Sequence, residues 1–229
     1  MPQQWSAPAQ PVVNRADNTN PRGTPDRSAA LVQYRRRAGL YDLELAPFEP
    51  IRRRAIDQLG LQPGETVLDV GCGTGLSLPL LASKVGASGR IVGIEQSPEM
   101  MALARQRAGR MGCGNVELIC SPVEEAELPM AAEAALLHFT HDILRRPEAV
   151  DALVGHLRPG ARLIAAGLKW AQPWASPANL FVWSAALRSV TSIEGLDAPW
   201  SLLAERSRDL NVETMLLGGV YIARMEIAG

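Results

Sequence analysis

The sequence is poor in lysine, cysteine and aromatic residues, and it has almost no excess of charge of either sign. Among its 229 residues are three cysteines, five tryptophans, three tyrosines and three phenylalanines, and the formal net charge is −1. A near-neutral balance gives no electrostatic reason to expect nucleic acid as a partner. Cys72, Cys113 and Cys120 lack CxxC spacing, so we expect no metal site and no disulfide framework.

Long hydrophobic runs are also missing. No stretch approaches the length that a membrane-spanning helix requires, and the opening MPQQWSAPAQPVV lacks the basic-then-apolar order of a signal peptide. Together with the few, unpaired cysteines, this favours a reducing setting. We therefore expect a cytoplasmic protein without membrane insertion.

The proline-rich beginning differs from the rest of the chain. Residues 1–28 mix five prolines with polar residues, a composition that predicts a flexible tail because little apolar surface is available for burial. We expect a single domain over residues 29–229, with a helical cover over residues 29–60. Its second helix is predicted at 49–59, because Pro50 suits a helix start and Gly60 suits a helix end.

Apolar strands and amphipathic helices then alternate at regular spacing. This alternation predicts an α/β fold with a doubly wound, mostly parallel sheet. Two strand-like runs around Gly218 and Gly219 predict a C-terminal antiparallel hairpin. An insert at about 169–210 precedes this hairpin. The predicted strands lie at 65–70, 90–94, 115–120, 134–139, 161–166, 212–217 and 220–227, and the predicted helices at 76–83, 97–111 and 147–157.

A glycine-rich loop follows the first strand in the segment VLDVGCGTG, residues 67–75. It departs from the dinucleotide fingerprint GxGxxG because Leu76 occupies the last glycine position, and it has no lysine for a Walker loop. The carboxylate of Asp69 would repel phosphates but suits an ammonium or sulfonium ligand. Glu95, twenty residues after Gly75, could accept both hydroxyl hydrogens of a ribose.

The pattern Asp69-x-Gly71-x-Gly73-x-Gly75, followed by Glu95, resembles the class I S-adenosylmethionine-dependent methyltransferases, particularly their small-molecule type. The resemblance covers about residues 34–227 and implies a single Rossmann-like seven-stranded sheet with S-adenosyl-L-methionine as cofactor. It implies that Asp69 orients the ammonium of the cofactor and that Glu95 holds its ribose. The implied cofactor-binding residues are Tyr41, Asp69, Gly71, Cys72, Gly73, Glu95, Gln96, Met100, Val123 and Phe139.

Two of these assignments leave alternatives open. Asp69 could instead cap the loop that follows it, since acids at strand ends bond to turns. The adenine site departs from the family pattern because Pro122 stands where an acid often reads the adenine amino group. Ser121 or Glu124 would then have to supply that hydrogen bond, while Val123 could still offer its backbone N–H.

Two polar residues after the fourth strand, His141 and Asp142, are the candidate catalytic residues. Histidine titrates near neutral pH, so His141 is the best candidate for a general base, with Asp142 orienting it or binding the acceptor. The alternative is that His141 packs against the cofactor and Asp142 caps the next helix, because methyl transfer to a good nucleophile needs little beyond proximity.

The resemblance predicts methyl transfer to a small acceptor by direct in-line displacement. Tryptophans of the insert would suit a hydrophobic or aromatic acceptor, although they could equally pack as core. The runs Arg35–Arg37 and Arg52–Arg54 are interpreted as solvent-facing helix charges. Other open hypotheses are a methyltransferase acting on RNA or protein and a non-catalytic cofactor binder, and a homodimer is compatible with each.

Overall fold

The structure, a computed structural model, describes residues 41–128, 131–172, 174–189 and 193–228. The expected tail at 1–28 and residues 29–40 of the expected helical cover lie outside these residues. Tyr41 begins the first described helix, but its side chain, and therefore its predicted contact with the cofactor, also lies outside the description. No described helix has both the length and the apolar character needed to cross a membrane.

The helical cover begins with α1, Tyr41–Leu45, followed by a 3-10 turn at Ala46–Phe48 and by α2, Glu49–Leu59. Helix α2 has the predicted bounds. Pro50 lies in its first turn, where a missing N–H costs nothing, and Gly60 ends it at φ +62°, a left-handed conformation that glycine adopts without strain. Its buried stripe of Ile51, Ala55, Ile56 and Leu59 packs on the sheet.

Seven strands form one sheet in the order β3-β2-β1-β4-β5-β7-β6. Strands β1 to β5 pair in parallel, whereas β7 pairs antiparallel with both β5 and β6. The predicted seven-stranded, mostly parallel sheet with an antiparallel C-terminal hairpin is therefore confirmed. The strands are β1 Thr66–Val70, β2 Arg90–Glu95, β3 Val116–Cys120, β4 Ala132–His138, β5 Leu157–Leu168, β6 Ser207–Met215 and β7 Val220–Ile227.

Helices connect the parallel strands and cover both faces of the sheet. At the start of the helix Pro98–Met111 the hydroxyl of Ser97 accepts a hydrogen bond from the Met100 N–H at 3.3 Å, which is the predicted N-terminal cap. The helices after α2 are α3 Leu78–Val85, α4 Pro98–Met111, α5 His141–Leu144, α6 Pro147–Gly155, α7 Ser176–Ser189 and α8 Ser201–Ala204.

Central strands are buried on both faces, as expected for parallel strands covered by helices. In β1, Leu68 and Val70 face one hydrophobic core together with α6, while Val67 faces a second core together with α2 and α3. Since side chains alternate along a strand, Asp69 projects to the same side as Val67, toward α2. The fold thus places this carboxylate under the helical cover.

Some predicted boundaries were wrong in the C-terminal half. β5 begins at Leu157, not Ala161, because a register shift against β4 lets the exposed Pro159 and Gly160 remain in the strand. β6 begins at Ser207, so the insert is shorter than expected and contains α7 and α8.

Candidate functional site

The glycine loop leaves the carboxyl end of β1 at the centre of the sheet, beside the point where strand order reverses. Gly71, Gly73 and Gly75 have φ of 69°, 57° and 79°. A Cβ on Gly71 would lie 2.5 Å from the Cγ2 atom of Thr140, in the loop after β4. Position 71 therefore requires glycine for two reasons within the protein: its positive φ and the lack of space for a Cβ beside the neighbouring loop. The predicted approach of a ligand is an additional reason.

Backbone hydrogen bonds anchor this loop to the end of β2. The N–H groups of Gly71 and Cys72 donate to the carbonyl of Ile94 at 2.8 and 2.9 Å. The Gly73 N–H donates to the Glu95 carboxylate at 3.1 Å. Consequently the loop and the acidic residue predicted from the sequence form one hydrogen-bonded unit.

Cys72 contributes its backbone to this unit, while its thiol packs elsewhere. The side chain is buried against Met101 and Ala104 of α4. Burial raises the pKa of the Cys72 thiol above its ordinary value, with smaller contributions from nearby Asp69 and Glu95. The thiol is therefore uncharged at neutral pH, in accordance with a packing role.

A first cavity, with an empty volume of about 290 Å³, opens between the glycine loop and the helical cover. Its lining includes Asp69 and the glycine loop, Arg52 of α2 and His138 at the end of β4. The full lining is Leu45, Arg52, Asp69, Gly71, Cys72, Gly73, Thr74, Leu76, Ser77 and His138.

Asp69 is buried in this cavity without a partner for its Oδ2 atom among the described residues. Burial raises its pKa to about 7; the neighbouring Arg52 opposes this rise and Glu95 adds to it. A carboxylate that capped the loop would accept hydrogen bonds from it, which lower a pKa. An unpartnered carboxylate with a raised pKa fits a site that a cationic ligand group completes.

Glu95 lies at the end of β2 with each carboxylate oxygen engaged by one backbone N–H. Its Oε1 accepts from Ser97 at 2.7 Å and its Oε2 from Gly73 at 3.1 Å. Burial raises its pKa, although the hydrogen bonds from Ser97 and Gly73 act in the opposite direction. Each carboxylate oxygen has a second lone pair, so Glu95 retains the capacity to accept two hydroxyl hydrogens.

The residues predicted for adenine lie around the start of α4 and the turn after β3. Met100 and Val123 are buried, and Gln96 is partly exposed. The two side chains that could replace the missing acid both have other partners. Ser121 donates to the Pro122 carbonyl at 3.0 Å, and Glu124 pairs with Arg146 at 2.7 Å.

A second cavity, also with an empty volume of about 290 Å³, lies beyond the loop that follows β4. His138 lines the first cavity, whereas the next three residues line the second, so this short loop separates the two. Phe139, at φ +59°, stacks against Phe48 with ring centroids 4.8 Å apart. The full lining is Phe139, Thr140, His141, Ala166, Gly167, Leu168, Leu196 and Tyr221.

The hydrogen bond of His141 defines its tautomer. Its Nε2 lies 3.0 Å from the carbonyl oxygen of Glu194 in the insert, and a carbonyl can only accept, so Nε2 carries the proton. Burial, assisted by Arg145, lowers the pKa of His141 to about 4, so the ring is neutral at pH 7. Its lone pair is therefore on Nδ1, a buried atom without a partner in the described part of the chain.

Asp142 lies in the first turn of α5, next to His141. The His141 ring is fixed by the hydrogen bond that it donates to the Glu194 carbonyl, so orientation by Asp142 is not required. The tryptophans of the insert divide into two groups. Trp170 and Trp200 pack on the core, while Trp174 and Trp183 are 76% and 47% exposed.

Arg52 and His138 are cavity residues that the sequence analysis missed. The interpretation of Arg52 as a solvent-facing charge was wrong, because it is only 2% exposed. Helical spacing contained the signal: Arg52 lies three and four positions before Ala55 and Ile56, on the buried face. His138 is partly buried, and its loss of solvation lowers its pKa to about 3, with Arg52 contributing.

A second missed group ties the helical cover to the glycine loop. The Thr74 hydroxyl donates to Asp42 of α1 at 2.5 Å, and Arg107 of α4 bonds both Asp42 and the Thr74 carbonyl at 2.5 and 2.6 Å. The described residues contain no cluster of histidines, cysteines and acids that could hold a metal ion.

The sheet order, the glycine loop after β1 and the acid after β2 define a Rossmann-like domain with a ligand site at the carboxyl edge of its sheet. Comparison with known proteins identifies the kind of domain. Residues 61–157 match a family model described as a methyltransferase domain.

Two relatives illustrate the range of similar sequences. Aklanonic acid methyltransferase DauC from Streptomyces sp. (strain C5) is 37% identical over 106 residues, which cover 46% of this chain and 48% of that protein. Protein-L-isoaspartate O-methyltransferase 1 of Arabidopsis thaliana is 32% identical over 149 residues and is covered to 61%, as is this chain. The chain thus spans about half of the length of the aklanonic acid enzyme.

Solved structures show the same fold. The N-methyltransferase NodS from Bradyrhizobium japonicum WM9, in complex with S-adenosyl-L-homocysteine, superposes with a TM-score of 0.65 at 16% identity, covering 87% of this chain and 99% of that one. Residues 61–157 thus match a methyltransferase domain, and the resemblance to the class I S-adenosylmethionine-dependent methyltransferases inferred from the glycine loop and Glu95 is confirmed.

Proposed function

We propose that this chain transfers a methyl group from S-adenosylmethionine to a small hydrophobic or aromatic acceptor. The observation that carries the proposal is the pair of cavities on either side of the loop after β4. One cavity has a buried acid suited to a cationic ligand. The other has a largely apolar lining in which His141 Nδ1 and Thr140 Oγ1 have no partner among the described residues. Two adjacent sites of this kind suit a reaction that joins a charged cofactor to an apolar acceptor.

The cofactor assignment depends on two buried carboxylates. Asp69 would accept a hydrogen bond from the ammonium group, and Glu95 would accept the two ribose hydroxyl hydrogens. When bound, S-adenosylmethionine supplies an electrophilic methyl group on a sulfonium. Gln96, Met100 and Val123 would surround the adenine, while Gly71, Cys72 and Gly73 contribute backbone.

His141 would act on the acceptor through Nδ1. Transfer of the methyl group to an acceptor oxygen or nitrogen would leave S-adenosylhomocysteine as the second product. The acceptor atom gains positive charge, so its proton becomes strongly acidic and passes to the Nδ1 lone pair. Even a base with a pKa of about 4 suffices for a proton released in this way. Asp142 and Phe139 would shape this side of the acceptor site.

The polarity of the acceptor is inferred from the side chains that line the second cavity. Its side chains include Phe139, Leu168, Leu196 and Tyr221, and the formal net charge of the chain is −1. These features favour an apolar small molecule over RNA, which would require a basic face. The name of the Streptomyces relative indicates a small acid as acceptor, whereas that of the Arabidopsis relative indicates a protein residue, so the acceptor panel must include both kinds.

Calorimetric titration with S-adenosylhomocysteine tests the cofactor site. We expect micromolar binding by the wild type and a loss of at least about tenfold in Glu95→Ala, because a buried acceptor of two hydroxyl hydrogens is removed. Glu117→Ala, on the exposed side of β3, is the matched control. Failure of the folded wild type to bind, together with binding of NAD, would contradict the proposal.

Transfer of a labelled methyl group to a panel of phenols, amines, carboxylic acids, peptides and RNA tests the reaction. We expect a product with at least one small apolar acceptor and none with RNA. His141→Ala should lower kcat for that acceptor at least about tenfold and leave S-adenosylhomocysteine binding unchanged. Equal kcat in wild type and variant would show that His141 only packs.

A further inference from the structure

Arg52 is a deeply buried arginine that lines the first cavity. Its exposure is 2%, although arginine is rarely buried without strong pairing. It lies on the buried face of α2 and lines the same cavity as the glycine loop and Asp69. The burial of Arg52 therefore indicates a role other than that of a surface charge.

The ion pair of Arg52 is with an acid that is itself partly exposed. Its Nη1 atom contacts the Glu49 carboxylate, which is one third exposed and also pairs with Arg53 at 3.0 Å. One partly solvated acid thus serves two guanidinium groups. The Arg52 guanidinium has five N–H donors, and its side chain lines the first cavity.

Arg52 and Asp69 face the same cavity with opposite charges, and yet they form no ion pair. The Asp69 Oδ2 atom has no partner among the described residues, although Arg52 is close enough to oppose the rise in the pKa of Asp69. Two buried charges of opposite sign that stay apart leave a gap between them. A ligand fragment with a positive and a negative group would span that gap and satisfy both charges.

We propose that Arg52 binds the carboxylate of the methionine part of the cofactor while Asp69 binds its ammonium. This inference rests on the proposed function and adds a residue to it. An α-amino acid has its ammonium and carboxylate on one carbon, so it presents both charges to opposite walls of a narrow site. The planar guanidinium fork matches a carboxylate in a bidentate geometry that lysine cannot reproduce.

The test compares two ligands that differ in the amino-acid part. S-Adenosylhomocysteine has the ammonium and the carboxylate, whereas 5′-methylthioadenosine has the same nucleoside and thioether without either. In Arg52→Gln we expect calorimetric affinity for S-adenosylhomocysteine to fall roughly 10- to 100-fold, the effect of losing a charge-assisted hydrogen bond. Affinity for 5′-methylthioadenosine should stay within about twofold, because that ligand does not reach Arg52.

Two further variants make the result specific. Arg53→Gln, an exposed neighbour that shares the Glu49 contact, should bind both ligands like the wild type. Arg52→Lys keeps the charge but not the fork, so it should recover part of the affinity for S-adenosylhomocysteine. Thermal unfolding of each variant confirms that a folded protein is compared.

The outcomes separate this inference from the proposed function. Equal weakening of both ligands by Arg52→Gln would overturn the inference and assign Arg52 a structural role. Unchanged binding of S-adenosylhomocysteine by Arg52→Gln would overturn it as well, while leaving the cofactor site intact. Absence of binding of either ligand by the wild type would instead remove the proposed function itself.

Discussion

Replacement of Asp69 by asparagine should stabilise the free protein while abolishing its ligand site. Burial raises the pKa of this carboxyl from 3.8 to about 7. Because the folded state binds this proton more tightly than the unfolded state, stability is highest below pH 4 and is lost as the pH rises to about 7. Above pH 7 the free protein has the full cost of a buried charge whose Oδ2 atom has no partner among the described residues.

The magnitude follows from the size of the pKa shift. A shift of about 3 units corresponds to roughly 4 kcal/mol of unfolding free energy at pH 8, at 1.36 kcal/mol per unit. Asparagine has nearly the same shape and cannot ionise, so it removes this penalty. Its amide group has a cost of its own, but that cost is the same at every pH and cancels when the effect at pH 8 is compared with that at pH 5.

The assay is thermal unfolding of wild type and Asp69→Asn at both pH values without ligand. With about 2 to 4 °C per kcal/mol for a chain of this size, Asp69→Asn should gain at least about 4 °C more at pH 8 than at pH 5. Asp57→Asn, at an exposed position of α2, serves as the control and should show no such difference. At the same time, Asp69→Asn should lose most of its affinity for S-adenosylhomocysteine.

One result would refute this reasoning. If Asp69→Asn lowered the melting temperature equally at both pH values, the native carboxylate would already be ionised and held by the protein. Asp69 would then cap the loop, as the alternative from the sequence proposes, and its affinity for an ammonium would need another explanation.

Three further predictions concern the same edge of the sheet. Affinity for S-adenosylhomocysteine should fall by up to about tenfold per unit as the pH drops below 7, because an ammonium ligand requires ionised Asp69; calorimetry at pH 6 and pH 8 measures this. Gly71→Ala should lose about 2 to 4 kcal/mol of stability in denaturant titration, because position 71 has a positive φ and a Cβ there would clash with the threonine methyl of the adjacent loop. The stability of Gly114→Ala, which has open space around it, should change by under about 0.5 kcal/mol. Arg107→Met should speed limited proteolysis at α1, because the hydrogen bonds that hold this helix to the glycine loop are lost. The control Arg105→Met, at an exposed position, should not change the rate of cleavage, and equal cleavage of both variants would contradict this role for Arg107.

The parts of the fold that depend on local patterns could be predicted from the sequence. The alternation of strands and helices, the bounds of α2 and the cap at Ser97 all follow from spacing and from residues within a few positions. The start of β5 did not, because a tertiary register shift keeps Pro159 and Gly160 in the strand although both residues usually end one.

The residues of the candidate site also fall into those that could be predicted from the sequence and those that could not. Asp69 and Glu95 were found because each follows a strand and the carboxyl ends of parallel strands meet at one edge. Arg52 reaches this edge only through the packing of α2, and Tyr221 only through the insertion of β7 between β5 and β6. Such convergence depends on the tertiary fold; the local spacing around Arg52 indicates a buried helix face but not the site that this face reaches.

The loop after β4 has a consequence for how the proposed acceptor site could be altered. This loop lines the second cavity, and its Thr140 methyl packs against Gly71, so enlarging it would disturb the glycine loop. Leu196 of the insert lines the same cavity and belongs to neither of these loops. Directed evolution of acceptor range should therefore start from libraries at Leu196, where side-chain size can vary while cofactor affinity is preserved.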